Sequence, residues 1–563
     1  MPADARVMII GLDGMPPWLI ESLAEEGALP HLAKLRERGV FGSMRSTVNT
    51  LTASAWPSMF TGVNPGRHGM FNFVQYVPEQ RDIFITSALH RQAGALWDLV
   101  GEDGGRSAVL RVPMTFPTRP MAGIMVGDHF TPSPRHPEFT WPRELRSKMI
   151  RRFGLLGWGT KADVRSEMTG GRLRRLLHDL RGGARLTFDL VDYALERGDY
   201  RHVFAVVSET DTLLHSLAPL LRRTGPSMQE DLPERARADV VAFFGEVDER
   251  IGRLVERLND SWNVLVVSDH GLGPNDPGEQ LLRSMLIALG YQGWREPAPA
   301  PAQKRDPVSL LRRIKSGVAR RIPWQVRRLL DPISLQRREQ GARENVLDVI
   351  DWDNTRAFSL VSGGSVGEIW LNCDEGPARE ELIGELTEPL TSAVNTRTGL
   401  PQIERVIRRE EAVSGPHSHR IPDLLVEFRE DEDCVELTAR RSDGREVTVN
   451  RSSTGSWDIA FVGFHTRDGI FMAAGPGVQA VDEPIHCEIA DVMPTAAYLM
   501  GCPIPEGLDG RLLTEIIEPG LLEATPPRVR AALPPPEWAG DDAQYSDEDR
   551  RRVERRLSDL GYL

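Results

Sequence analysis

The sequence has 563 residues, too many for one simple hydrophobic core, so one large α/β domain with insertions or two domains are expected. Its formal net charge of −13 argues against a nucleic-acid polymer as the main partner. The four cysteines show no close spacing, a pattern typical of neither a disulfide framework nor a thiolate zinc site.

Apolar runs are short throughout the chain. The first, Val7 to Ile10, is too short for a signal peptide or a membrane span. No later stretch approaches the roughly 18 apolar residues that a membrane helix needs. The sequence therefore predicts a cytoplasmic protein without a transmembrane segment.

The first predicted strand covers Val7 to Gly11 and leads directly to Asp13 and Gly14. Continuous apolar runs favour parallel strands that are covered on both faces, and the carboxyl ends of such strands border the functional crevice. Asp13 is therefore expected at the mouth of the sheet. The alternative is that Asp13 and Gly14 simply form a turn.

A short helix is predicted from Thr52 onwards, because small and hydroxyl residues open an apolar run that Gly62 and Pro65 end. Thr52 then lies at the N-terminal edge of the helix, where the helix dipole favours an alkoxide and a bound phosphate. Taken alone, Thr52 is better explained as an N-cap, and the metal ligands supplied by the rest of the chain favour the other interpretation.

Two further predicted strands each end in acidic and histidine residues. Residues 201–207 lead to Asp211 and His215, which face one cation if the chain makes a single helical turn between them. The bland alternative is an Asp cap followed by a packed His. Residues 263–268 lead to Asp269 and His270, and the following glycine permits the sharp turn that would let both bind one metal.

Two stretches differ from the rest of the α/β pattern. Residues 133–195 are helical and Arg-rich, with leucines at helix spacing that indicate core packing. Residues 296–345 begin with alternating Pro and Ala and become strongly basic. We interpret this basic insertion as a solvated helical pair, with peripheral contact to a membrane or an acidic partner as the alternative.

The last third of the sequence contains short predicted strands, including one over residues 350–360, which indicate a smaller returning lobe. His465 is predicted in a loop just before a strand, where it could close a metal shell. After Pro534, a Pro-rich linker leads to a helix with Val553, Leu557 and Leu560 on one face. The sequence leaves open whether this face packs on its own domain or on a second subunit, and so leaves the oligomeric state open.

Five motifs together carry a resemblance to a known family. They are Gly11-Leu-Asp-Gly, Thr61-Gly-x-x-Pro-x-x-His-Gly, Asp211-x-x-x-His, Ser268-Asp-His-Gly and Gly463-x-His. In this order they resemble the alkaline phosphatase superfamily, and within it the type I phosphodiesterase/nucleotide pyrophosphatase group. The segment from Asp491 to Gly510 resembles the C-terminal element of that superfamily.

The resemblance implies an α/β fold with a doubly wound, mainly parallel central sheet and helices on both faces. In that reading, residues 1–295 form the first part of the catalytic domain and residues 296–345 are the basic helical insertion. Residues 346–520 supply the remainder with the smaller lobe, and residues 521–563 form the linker and C-terminal helix.

The resemblance also implies two divalent metal ions, zinc in the first place and manganese as the alternative. One ion would be bound by Asp13, Thr52, Asp269 and His270, and the other by Asp211, His215 and His465.

The reaction implied is hydrolysis of a small phosphate ester, most of all a phosphodiester or a pyrophosphate. It proceeds by a two-metal mechanism with Thr52 as nucleophile and a phosphothreonine intermediate. A phosphomonoesterase of the same superfamily is the first alternative, and a non-catalytic binding protein on a hydrolase scaffold is the second.

The sequence departs from the pattern of the group at one position. We expect an Asn three residues after the nucleophile to hold a phosphoryl oxygen, but that position is Ala55. Asn49 and Asn72 are candidates for the missing donor, and the other interpretation is a substrate that is not a nucleotide diester.

Overall fold

A computed structural model describes residues 4–154, 158, 170–221, 234–295, 347–360, 364–450, 463–538 and 547–559. The basic insertion predicted over 296–345 lies outside these described residues, and so does Leu560. Within the described ranges, no helix is both long enough and apolar enough to cross a membrane.

The strands are β1 (Arg6–Leu12), β2 (Val40–Arg45), β3 (Val74–Val77), β4 (Asp82–Ile85), β5 (Ser107–Leu110), β6 (Gly123–Val126), β7 (Thr140–Trp141), β8 (His202–Val207), β9 (Trp262–Val267), β10 (Gly271–Gly273), β11 (Ala357–Phe358), β12 (Val366–Leu371), β13 (Val394–Asn395), β14 (Ile403–Arg408), β15 (Leu424–Phe428), β16 (Glu436–Arg440), β17 (Glu446–Asn450), β18 (Phe464–Thr466), β19 (Asp468–Ala474), β20 (Ile485–Glu488), β21 (Ile504–Pro505) and β22 (Val529–Arg530). The α-helices are α1 (Pro17–Glu25), α2 (Pro30–Glu37), α3 (Thr52–Thr61), α4 (Pro65–His68), α5 (Leu96–Glu102), α6 (Leu145–Phe153), α7 (Gly170–Arg197), α8 (Glu209–Leu217), α9 (Glu234–Glu256), α10 (Leu282–Leu289), α11 (Pro377–Thr391), α12 (Arg409–Ala412), α13 (Val492–Leu499), α14 (Pro519–Ala524) and α15 (Asp547–Asp559).

The core of the molecule is a nine-stranded sheet in the order β20-β2-β19-β9-β1-β8-β5-β6-β7. β1 runs parallel to both of its neighbours, β8 and β9. Only β19 and β7 run antiparallel to the strands beside them. The sheet is therefore mainly parallel, as the sequence predicts.

Helices cover both faces of this sheet because its central strands are apolar on both faces. In β1, Met8 and Ile10 belong to a hydrophobic cluster that also contains residues of α1, α2, α7 and α9. Val7 and Ile9, which point to the opposite face, pack in a second cluster with residues of α3, α5 and α13. This confirms the doubly wound α/β class.

The smaller lobe contains a four-stranded antiparallel sheet in the order β11-β12-β15-β14. Residues of α10 and α11 pack with it in a third cluster. The strand predicted over residues 350–360 is wrong for most of its length, because only β11 is extended. Asn354 donates a hydrogen bond to the Asp351 carboxylate at 2.7 Å, and this local contact holds a turn where the sequence suggested a strand.

The C-terminal helix α15 packs on its own chain. Val553 and Leu557 are almost fully buried in a cluster that contains Leu51 and Ala53, the residues on either side of Thr52. The apolar face predicted from the sequence is therefore used within the domain.

Candidate active site

Three aspartates lie at the same edge of the central sheet, because they follow three adjacent parallel strands. Asp13 comes directly after β1 and Asp269 comes two residues after β9. Asp211 lies in the first turn of α8, which follows β8. The carboxyl ends of neighbouring parallel strands meet at one edge, so the topology gathers these side chains.

Thr52 is the first residue of α3, and Leu51 occupies the N-cap position without a side-chain cap. The Thr52 hydroxyl lies 3.4 Å from Nε2 of His270. Thr52 is only 3% exposed. The N-cap interpretation therefore has no support, since the hydroxyl contacts the acidic and histidine cluster.

His215 and His465 bring two ring nitrogens together. Their Nε2 atoms are 2.8 Å apart, and Nε2 of His215 is 3.2 Å from Oδ1 of Asp211. Each Nδ1 lies against a backbone carbonyl, at 2.9 Å for Gly463 and 2.7 Å for Thr50. This hydrogen-bond network assigns the proton to Nδ1, so the Nε2 lone pairs point at a common position, as ligands of a cation would.

His465 lies in the short strand β18 and not in a loop. Leu272 of β10 is its antiparallel partner. The preceding residues 451–462 lie outside the described part of the chain. The strand pairing and the bond from Nδ1 to Thr50 fix the imidazole beside His270, with ring centroids 4.0 Å apart.

Asp13, Asp269 and His270 form the second half of the site. Nε2 of His270 lies 3.3 Å from Oδ2 of Asp269 and 3.9 Å from Oδ1 of Asp13. The ligand atoms of Asp13, Asp211 and His270 all lie within 4.8 Å of one another, as do those of Asp211, His215 and His465. Asp211 therefore borders both groups.

The carboxylates of this site fit bound cations. Within the described ranges, Oδ1 of Asp13, Oδ1 of Asp211 and Oδ2 of Asp269 are buried and have no hydrogen-bond donor. Buried charges of one sign are costly unless an opposite charge compensates them. Three such oxygens beside three imidazoles form a mixed oxygen and nitrogen donor set that suits divalent metal ions.

The pKa values of the metal-free protein also reflect the burial of like charges in this site. Burial, then the charges of Asp269 and Asp211, raise the pKa of Asp13 well above its ordinary value. Burial, then the positive charges that His270 and His215 would carry, hold the pKa of His465 well below its ordinary value. The carboxylates of Asp13, Asp211 and Asp269 repel one another, and a cation between them would relieve that repulsion.

The two candidate asparagines differ in what they contact. Asn49 is engaged in the protein: its amide donates to the backbone oxygen of Phe71, and its oxygen accepts from the hydroxyls of Thr47 and Ser54. Asn72 donates one hydrogen bond, 2.9 Å long, to Oε1 of Glu368 in β12. An amide nitrogen has two hydrogens, so this bond leaves Asn72 a second one.

Glu368 is a residue that the sequence did not single out. It is 5% exposed, and burial raises its pKa to about 7, while the Asn72 bond lowers it. A single Glu within an otherwise apolar strand carries no sequence signal of this role. The start of β12 lies close to the loop before Thr52, and Ser365 and Thr50 exchange two hydrogen bonds of 2.9 Å there. This contact between distant segments is visible only in the folded structure.

Comparison with known proteins identifies the family of the chain. The sequence model of the type I phosphodiesterase / nucleotide pyrophosphatase family matches residues 7–322, more than half of the chain. No curated protein matches the chain.

Several solved structures are similar in outline. One is phosphonoacetate hydrolase from Sinorhizobium meliloti 1021 in complex with phosphonoformate, with 14% identity over 88% of this chain and 96% of that chain and a TM-score of 0.47. Murine ectonucleotide pyrophosphatase / phosphodiesterase 5 has 12% identity over 91% of this chain and 100% of its own, with a TM-score of 0.45. The assignment rests on the family match: the chain belongs to the type I phosphodiesterase/nucleotide pyrophosphatase family, whose members are metal-dependent, and it is a phosphoester hydrolase.

Proposed function

We propose that this enzyme hydrolyses phosphodiester or pyrophosphate bonds of small substrates, with Thr52 as the nucleophile. The observation that carries the proposal is the position of the Thr52 hydroxyl. It lies at the first position of a helix and 3.4 Å from His270, next to buried carboxylates that have no donor in the described chain. The helix dipole favours negative charge both on the attacking oxygen and on the phosphoryl group.

Two divalent ions fit the donor set. Asp13, Thr52, Asp269 and His270 would hold one ion, and Asp211, His215 and His465 would hold the other. When bound, such a pair supplies positive charge that stabilises both the attacking and the leaving oxygen of an in-line displacement. Zinc is the proposed metal because imidazole and carboxylate ligands suit it, with manganese as the alternative.

The covalent chemistry belongs to Thr52. Its Oγ1 loses its proton to solvent and forms a bond to phosphorus while the bond to the leaving ester oxygen breaks. The departing oxygen takes up a proton, and the enzyme is left as phosphothreonine. Water then attacks the same phosphorus from the vacated side, the bond to Oγ1 breaks, and the hydroxyl is regenerated. The Nδ1 bonds of His215 and His465 to backbone carbonyls keep both rings oriented through these steps.

The side chain of Ala55 cannot donate a hydrogen bond to a phosphoryl oxygen, and Asn72 is the better candidate for that donor. Its bond to Glu368 holds the amide and leaves one hydrogen for the substrate. Asn49, by contrast, serves to hold the loop before Thr52. We also infer a cytoplasmic location, which is supported by the four cysteines, all of them unpaired.

The test is hydrolysis of bis-p-nitrophenyl phosphate and p-nitrophenyl phosphate by purified protein loaded with zinc or manganese. We expect faster turnover of the diester and trapping of phosphothreonine at Thr52 in acid-quenched samples. Thr52→Ala should abolish turnover without loss of bound metal, while Thr52→Ser should keep part of it. Preference for the monoester would assign phosphomonoesterase activity, and full activity of Thr52→Ala would exclude the nucleophile.

A further inference from the structure

A buried ion pair lies behind the helix that carries Asp211 and His215. Arg111 directly follows β5, and Glu209 is the first residue of α8. Each is 1% exposed, and Nη2 of Arg111 lies 2.7 Å from Oε1 of Glu209. Neither residue of the pair belongs to the proposed metal ligands or phosphate donors.

The backbone of Arg111 is held in an unusual conformation. Its φ is +59°, in the left-handed region that residues with a side chain rarely adopt. Nη1 donates to the carbonyl of Gly183 at 2.7 Å and to Oγ1 of Thr187 at 2.6 Å, both in α7. A strained residue persists where its surroundings fix it, so these contacts tie the end of β5, the middle of α7 and the start of α8 together.

Gly183 makes the approach of Glu209 possible. A Cβ atom at this position would lie 2.0 Å from Oε1 and 3.0 Å from Cγ of Glu209. The glycine therefore forms a notch in a 28-residue helix, and the carboxylate occupies it. The neighbouring Gly182 is exposed and has nothing within 4 Å of its would-be Cβ, so a methyl group there would not displace the Glu209 carboxylate.

The start of α8 is fixed from a second direction. Oγ1 of Thr210 donates to the backbone oxygen of Asp13 at 2.6 Å and contacts that of Val207 at 2.9 Å. Glu209 and Thr210 thus anchor the helix on both sides immediately before Asp211. His215 lies one turn further along, so a small shift of the helix start moves both candidate ligands.

We propose that Arg111 and Glu209 are positioning residues that set the place of α8, and thereby the spacing of Asp211 and His215 from Asp13 and Asp269. The inference rests on the proposed metal site. A buried ion pair is not in itself a strong stabilising device, since well-packed apolar residues often do as well. A planar guanidinium bound to a carboxylate gives a defined orientation, and that orientation is what ligand spacing requires.

The experiment compares Gly183→Ala with Gly182→Ala in the full chain. Both substitutions add a methyl group to α7 and favour helix formation, but only the first displaces the Glu209 carboxylate. Zinc affinity is measured by competition with a fluorescent chelator, and unfolding of the metal-free protein is measured with urea. We expect Gly183→Ala to weaken zinc binding about tenfold or more and to lower kcat more than it changes KM. Gly182→Ala should match the wild type in zinc affinity and in kcat.

A second variant keeps the inference falsifiable if Gly183→Ala does not fold. Arg111→Lys retains the positive charge but loses the planar guanidinium, which contacts Glu209 and α7 at the same time. We expect the same loss of zinc affinity. Wild-type zinc affinity in either folded variant would overturn the positioning role while leaving the metal site intact. Failure of the wild-type protein to bind zinc or manganese would instead overturn the metal site, and the inference with it.

Discussion

The buried Glu368 gives a prediction whose size follows from the structure. Its pKa rises from 4.5 to about 7 in the folded protein. Each pKa unit corresponds to about 1.4 kcal/mol, so folding favours the protonated carboxyl by about 3 kcal/mol. Between pH 4.5 and about 7 the folded protein binds more protons than the unfolded chain, and the stability that Glu368 contributes is lost as the pH rises through this window.

Glu368→Gln should remove this dependence, because glutamine keeps an acceptor for Asn72 but does not ionise. The assay is urea unfolding of the metal-free wild type and the variant at pH 5 and pH 8. We expect the variant to become more stable relative to the wild type at high pH: its free energy of unfolding minus that of the wild type should be about 2 to 3 kcal/mol larger at pH 8 than at pH 5. A difference between the two proteins that stays constant across this range would refute the reasoning.

Three further predictions concern the site and its surroundings. Removing metal with EDTA should lower the melting temperature, and added zinc should restore it, since ions held by the proposed site would stabilise the folded state; an unchanged melting curve in calorimetry would contradict this. Asp13→Asn should weaken zinc binding in a titration, and in the metal-free protein it should reduce the loss of stability as the pH rises, because burial and then the charges of two neighbouring carboxylates raise the pKa of Asp13; an unchanged pH dependence of the urea midpoint would contradict this. Leu557→Ala should cost about 2 to 4 kcal/mol of stability and lower kcat, since Leu557 packs with Leu51 and Ala53. Leu400→Ala, at a site that is 52% exposed, is the matched control and should change little.

Much of the site could be predicted because its aspartates follow the carboxyl ends of predicted strands. The apolar runs of β1, β8 and β9 are continuous, so they had to be buried parallel strands, and each leads into an Asp. The three strands proved to be neighbours, which placed Asp13, Asp211 and Asp269 at one edge. Local pattern and one topological rule were sufficient here.

Other features depend on contacts between distant segments, which no local pattern encodes. Arg111 and Glu209 are separated by 98 positions, and nothing around either residue indicates a partner. Likewise, His465 lies in a strand because its segment pairs with β10. A strand of three residues is too short to show a hydrophobic periodicity in the sequence. The strand expected over residues 350–360 was wrong because a side-chain bond to Asp351 favoured a turn.

The position of β2 has a consequence for how the enzyme is made in the cell. Gly42 in this strand pairs with Phe471 on one side and Ile485 on the other, so the strand that leads to Thr52 joins the sheet only through residues more than 400 positions later. At a synthesis rate of about 5 to 20 residues per second, the ribosome needs roughly 20 to 90 s to supply those partners. The segment matched by the family, residues 7–322, emerges without them. A nascent chain therefore carries Thr52 long before it has the strands that complete the sheet beside it, and the complete sheet can form only when residues 468–488 have been added.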